Sequence, residues 1–381
     1  MNRYPSSERL LLDAQESTGL DEFGPGDFRI GLDVLLESLE RDAGLDPSTD
    51  DAVVGLLRRR LENRLLLEQW CVDHTEVATV PIAGPLDVIG LPRTGTTALG
   101  NMLSLDRRLR SLSMWEQTRP VPPPVGGEEA TDPRRVAQLA ADAAVPPEIH
   151  AMHLYEIDAA AEDSEVLGMA FHGQQMTLPV WGYHEWWRGA DQSETFAYHR
   201  RVVQVLGSAR PPHHWLFKSP HHKFHPEAIV DAYPDIRFVM THRDPAKVIP
   251  SYSSLVSSIF PTAASGAHDP HRIGAEISRH LRVGMEMLLA ARARLGEDRF
   301  LDVHHRETID DPVGVVRRVW DFAGLDADPT VEAAVVDYQR ANRSGARGTH
   351  AYTPEQFGLT TAQLRSEFDF YISHFDVATE D

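Results

Sequence analysis

Apolar positions along this chain recur first at helical spacing and then at strand spacing. Leu32, Leu35, Leu36 and Leu39, and again Leu56, Leu57, Leu61, Leu65 and Leu66, line up on one side of a 3.6-residue repeat. They predict a helical segment from Met1 to about Val80, with turn and cap chemistry at Asp46-Pro47-Ser48-Thr49-Asp50. Leu86-Asp87-Val88-Ile89-Gly90 reads as a short strand running into a glycine-bearing turn, after which Leu99, Met102 and Leu103 mark a helix face. Further strands are predicted at His214 to Lys218, Ile236 to Thr241 and Arg299 to Val303. Ile277, Leu281, Leu288 and Leu295 define a helix stopped by Gly296, and Asp311-Pro312 opens another carrying Val315, Val316, Val319 and Trp320. Strands alternating with helices predict an α/β fold around a mostly parallel sheet. The stretch from Arg119 to Glu129, with its prolines and paired glycines, reads as a surface loop, because sheet elements lie on both sides of it. No internal repeat is visible. The division expected is 1–80, a helical segment packed on the core, and 81–381, one α/β domain.

Charge narrows the partners. The 57 acidic residues outnumber the 37 lysines and arginines, giving a formal charge of -20 over 381 residues. Such a surface repels a phosphate backbone or an anionic membrane, so nucleic acid is excluded as an expected partner and any anionic ligand needs a local cluster of donors. Cys71 is the only cysteine, which rules out an intrachain disulfide and cysteine-based metal sites and agrees with a reducing cytoplasm. No segment has signal-peptide or membrane-spanning character, so a protein without membrane insertion is expected. Assembly with further copies is left open.

The chemistry concentrates in Gly90-Leu91-Pro92-Arg93-Thr94-Gly95-Thr96-Thr97. Four residues separate the glycines, a strand precedes and a helix follows, which is the context of a phosphate-binding loop. Backbone N–H groups, the helix N-terminus and the hydroxyls of Thr96 and Thr97 would all favour an anion there. Thr96 stands where a nucleoside-triphosphate enzyme carries lysine, and the cation has moved into the loop as Arg93.

This loop resembles the 5′-phosphosulfate loop of sulfotransferases that use 3′-phosphoadenosine-5′-phosphosulfate (PAPS). Lys218-Ser219-Pro220-His221, Thr241-His242-Arg243-Asp244-Pro245 followed by Ser251, Tyr352 to Leu359, and Thr18 to Gly24 resemble segments of the bacterial branch of that family, in the same order. The resemblance implies a P-loop NTPase-like three-layer fold with an added N-terminal helical segment, PAPS as donor with no metal, and a small alcohol or phenol as acceptor. It implies a 5′-end bound by Arg93, Thr94, Gly95, Thr96 and Thr97, and a 3′-phosphate bound by Arg243 and Ser251. Arg347 and Gly348, in a glycine-bearing stretch, would close over the nucleotide, although the full basic motif of the animal enzymes is not carried.

Sulfuryl transfer needs in-line positioning, stabilised oxygens and a base for the incoming hydroxyl. Arg93 and Lys218 are expected as the electrophilic residues. Three candidates stand for the base: His153, Glu116 and His221. His150 and His153 also have the spacing of two ligands on a helix face, but no third ligand stands beside them. Trp181, Tyr183, Trp186 and Trp187 are candidates for an acceptor pocket or, alternatively, core packing. A phosphate-loop kinase, disfavoured by Thr96, and a non-catalytic nucleotide-binding relative remain as alternatives.

Overall fold

The computed structural model describes residues 2–143, 157–173, 175, 177–260, 269–342 and 352–380. Three helices open the chain: α1 (Ser7–Thr18), α2 (Phe28–Arg41) and α3 (Asp50–Asp73). Five strands follow: β1 (Leu86–Gly90), β2 (Leu109–Ser111), β3 (His214–Lys218), β4 (Arg237–His242) and β5 (Phe300–His304). All pair in parallel, in the order β2-β3-β1-β4-β5. The strand order reverses direction across β1, so the crevice beyond its carboxyl end is where such a sheet takes a ligand.

The sheet is buried on both faces, as a parallel sheet must be. Ile89, Phe217, Phe238 and Met240 pack into one core, while Leu86, Val88, Leu216, Val239 and Val303 pack into another on the opposite face. This is the two-residue alternation of strands read in three dimensions. The helices Pro270–Leu295 and Pro312–Ala323 cover these faces, and both begin with the Asp-Pro pair that caps and then starts a helix.

The predicted strands at 236–241 and 299–303 are each displaced by one residue, and β2 is an addition. Its three residues are too few to show alternation. The N-terminal helices share a core with residues from the α/β part: Leu32, Leu57 and Leu61 cluster with Phe171, Tyr183, Trp187 and Phe224. Tyr183 and Trp187 are therefore core, and their polar atoms are spent on the backbone, Tyr183 donating to Phe171 O and Trp187 to His172 O. Trp186 leans on the same core. Among the described residues, no helix is long and apolar enough to cross a membrane.

Candidate active site

The loop after β1 is held open by backbone geometry. Gly90 has φ +137°, and a Cβ there would lie 2.5 Å from Thr241 O on β4, so the close approach of the two strands requires glycine. Gly95, at φ +97°, caps the helix α4 (Thr96–Leu103), and a Cβ on it would meet His305 Nδ1 at 2.9 Å. Arg93 also has positive φ, +66°, a conformation that costs an ordinary residue about 1 kcal/mol or more. Thr94 does not offer its hydroxyl to a ligand. Its Oγ1 donates to Leu91 O at 2.6 Å and shares a 2.6 Å hydrogen bond with Thr241 Oγ1, both buried, which clamps the loop to β4. Thr96 and Thr97 occupy the first turn of α4.

A second arginine lies beside the loop. Arg243 follows β4, and Asp244 Oδ1 accepts from Ala246 N to cap the helix Pro245–Ile259, which carries Ser251. The Arg243 fork already holds a carboxylate: Nε and Nη2 donate to Glu380 at 2.8 and 2.9 Å. Its Nη1 reaches Arg93 O at 3.3 Å, and Arg93 Nε donates to Ser251 Oγ at 3.2 Å. The two arginine positions are therefore adjacent. Burial, with Arg243 nearby, depresses the Arg93 guanidinium from its usual value, opposed by Tyr352. His305, unseen in the sequence, stands against Gly95 with Nδ1 unpartnered among the described residues, and burial pushes it down to about 4.

Lys218 ends β3, and its stem runs over Gly100 of α4, where a Cβ would stand 3.2 Å from Lys218 Cδ. Its Nζ lies 3.8 Å from Glu162 Oε1, a carboxylate that retains partial solvent exposure. Glu162 is the residue that sequence reasoning passed over. Only proximity to a lysine 56 positions later in the chain distinguishes it from the other acidic residues.

The three expected bases fall in different places. Glu116 is committed elsewhere: Oε1 accepts from Arg110 at 2.7 Å, Oε2 accepts from the N–H and hydroxyl of Ser113, and the residue is 1% exposed. It ties a helix start to an arginine, which corrects the expectation that it takes a substrate proton. His221 is buried with both ring nitrogens unpartnered among the described residues, and burial, reinforced by Lys223, His222 and His184, pushes it well below the usual imidazole range. Its neighbour Lys223 is pushed down to about 7 by burial and donates to Pro220 O. His153 lies outside the described residues, as do His150, Arg347 and Gly348. A small cavity nearby is lined by Trp181, His184, Tyr252, Phe260, Ile277 and His280, so Trp181 is the one member of the predicted aromatic set that faces it.

Behind the site runs a buried polar network. His222 Nδ1 bonds to Asp87 Oδ2 at 2.8 Å and His222 Nε2 lies 3.5 Å from Asp163, which also bonds to His199 at 3.1 Å. Burial opposes charge on His222, but Asp87 and Asp163 outweigh it and raise the imidazole to about 9. Among the described residues, no group of His, Cys, Asp and Glu is placed to hold a metal ion.

A model of the family described as "Sulfotransferase family" matches residues 85–329. Among solved structures, the chain is similar to sulfotransferase STF9 from Mycobacterium avium, at 29% identity and a TM-score of 0.90, over 100% of this chain and 99% of that one. It is similar to sulfotransferase STF1 from Mycobacterium tuberculosis H37Rv at 28% identity and a TM-score of 0.82, over 97% and 99% of the two chains. No curated protein matches it.

Proposed function

Because this chain belongs to the sulfotransferase family, we propose that it transfers a sulfuryl group from PAPS to the hydroxyl of a small alcohol or phenol. The observation that carries the donor is the pair of adjacent anion seats. A phosphate-type loop holds Arg93 in place of a Walker lysine, and Arg243 beside it already grips a stand-in carboxylate. Two adjacent cationic positions suit a nucleotide bearing a 5′-phosphate and a 3′-phosphate on one ribose.

In this reading the backbone N–H groups from Arg93 to Thr97, with the hydroxyls of Thr96 and Thr97, receive the 5′-end. Arg243 and Ser251 receive the 3′-phosphate, and Arg347 and Gly348 belong to the covering loop. PAPS supplies an activated sulfur whose bond to the bridging phosphate oxygen breaks as the acceptor oxygen bonds to it. Lys218 and Arg93 neutralise the charge that gathers on the leaving and equatorial oxygens. Glu162, next to Lys218 and partly exposed, is the carboxylate best placed to take the acceptor's proton, with His153 and His221 as the other candidates. A cytoplasmic setting agrees with the single Cys71. The kinase alternative lacks its lysine at Thr96.

Calorimetry with adenosine 3′,5′-bisphosphate, 5′-AMP and ATP with magnesium tests the donor. The bisphosphate is expected to bind about tenfold or more tighter than 5′-AMP, the worth of a charge-assisted contact. Arg243→Ala should erase most of that difference while leaving 5′-AMP nearly unaffected. Equal affinities for the two nucleotides would refute the assignment. For the base, Glu162→Gln should lower turnover about a hundredfold or more without weakening the bisphosphate complex; an unchanged rate returns the role to His153 or His221.

A further inference from the structure

The carboxylate on Arg243 comes from far along the chain. The helix Asp369–Phe375 ends at Asp376, whose left-handed backbone, φ +49°, turns the segment back toward the end of β4. Two contacts then pin the backbone of Glu380: its N–H donates to Asp244 Oδ2 at 2.8 Å, and its carbonyl accepts from Arg365 Nη2 at 2.7 Å. Arg365 is itself held by Asp244 at 2.7 Å. None of these bonds involves the Glu380 side chain. The carboxylate can therefore leave Arg243 by a change of side-chain rotamer alone, with the segment still in place, and its 37% exposure gives it room to do so.

The contact uses the same fork that a phosphate would use. Two parallel N–H···O bonds from Nε and Nη2 are the bidentate geometry by which a guanidinium recognises carboxylate and phosphate alike. Two anions cannot share that fork without repulsion, and the pinned backbone keeps the competing carboxylate at high effective concentration. On its other side the guanidinium donates from Nη1 to Arg93 O, so the Nε–Nη2 edge is the one that Glu380 holds.

We propose that Glu380 is an affinity-setting residue of the nucleotide site: its carboxylate occupies the seat of the 3′-phosphate, is exchanged for it on binding, and returns as the bisphosphate product leaves. The proposal rests on the PAPS reading above. In the free enzyme the ion pair keeps the Arg243 fork ordered and neutralised in a strongly acidic protein. In the complex, each bound bisphosphate must displace an internal competitor. A nucleotide lacking the 3′-phosphate leaves the pair undisturbed.

The test compares wild type with Glu380→Gln and Glu380→Ala in the full chain, by calorimetry with adenosine 3′,5′-bisphosphate and with 5′-AMP. Both variants should bind the bisphosphate roughly twofold to fivefold more tightly, the range set by a partly exposed ion pair, while 5′-AMP affinity stays constant. Stopped-flow release of the bisphosphate should slow correspondingly. The gain should vanish when Arg243→Ala is combined with either variant, because the competitor and the phosphate act through one guanidinium. Unchanged or weaker bisphosphate binding in Glu380→Gln would overturn the proposal and make Glu380 a support that orients Arg243. If wild type itself fails to prefer the bisphosphate over 5′-AMP, the donor reading fails, whereas a preference in wild type that Glu380→Gln leaves unaltered sinks this inference alone.

Discussion

His222 shows how a single side chain can carry the energetics of a site it never lines. The imidazole sits fully inside the protein between Asp87 and Asp163, and it keeps a proton because two carboxylates face it. Removing one partner of such a network leaves the others buried without compensation, which costs far more than the net worth of the pair. His222→Ala is therefore expected to destabilise the protein by about 3 to 5 kcal/mol, read as a lower midpoint in urea denaturation. A loss below about 1 kcal/mol would mean that water replaces the imidazole and that the network is not dry.

At the scale of elements, the strand, loop and helix from Leu86 to Leu103 act as one unit because Thr94 fastens the loop to β4. Thr94→Val keeps the shape and deletes the hydroxyl. It should cost about 1 to 2 kcal/mol in thermal stability and weaken 5′-AMP and adenosine 3′,5′-bisphosphate by similar factors, since it loosens the loop proposed to receive the 5′-phosphate of both. Arg243→Ala, by contrast, should spare 5′-AMP. Calorimetry on the two variants separates the roles, and a Thr94→Val protein that loses only the bisphosphate would contradict this account. The strands β1 and β3 were legible because Leu86, Val88 and Ile89, and Trp215, Leu216 and Phe217, are apolar clusters ended by Gly90 and Lys218. The strand β2 was not, since Leu109-Arg110-Ser111 is ordered by pairing with β3 rather than by any local pattern.

For the whole molecule, the histidines set an acid limit. Burial holds His184, His225 and His305 down to about 4 and pushes His221 and His280 well below the usual range. The unfolded chain would protonate all five near pH 6.5, so between pH 6.5 and about 4 it binds more protons than the folded state. These five rings therefore lower stability as pH drops through that window. His222, raised to about 9, is protonated in both states below pH 6.5 and does not oppose the trend. Urea denaturation at pH 7 and pH 5 should show a clear loss at the lower pH, and equal midpoints would mean that these rings reach solvent. Because the N-terminal helices share one core with Phe171, Tyr183, Trp187 and Phe224, the loss should appear as one transition in circular dichroism and tryptophan fluorescence together.

The sequence alone determined what depends on neighbours along the chain. Gly90 and Gly95 with Arg93 between them, the Asp-Pro helix starts, and the cation at Arg243 followed by Ser251 are short-range patterns. Backbone sterics and capping translate such patterns directly into a glycine-bearing strand-to-helix loop and a capped helix start beside it on an α/β sheet. Only the tertiary structure decided which side chains those cations meet. Glu380 reaches Arg243 from 137 residues away, Glu162 lies against Lys218, Glu116 is taken by Arg110, and Tyr183 and Trp187 are drawn into the core of the N-terminal helices. No periodicity encodes these meetings. An ion pair or a packed ring depends on where separate elements are brought by folding, and in this acidic chain many carboxylates are equally eligible until the fold selects one.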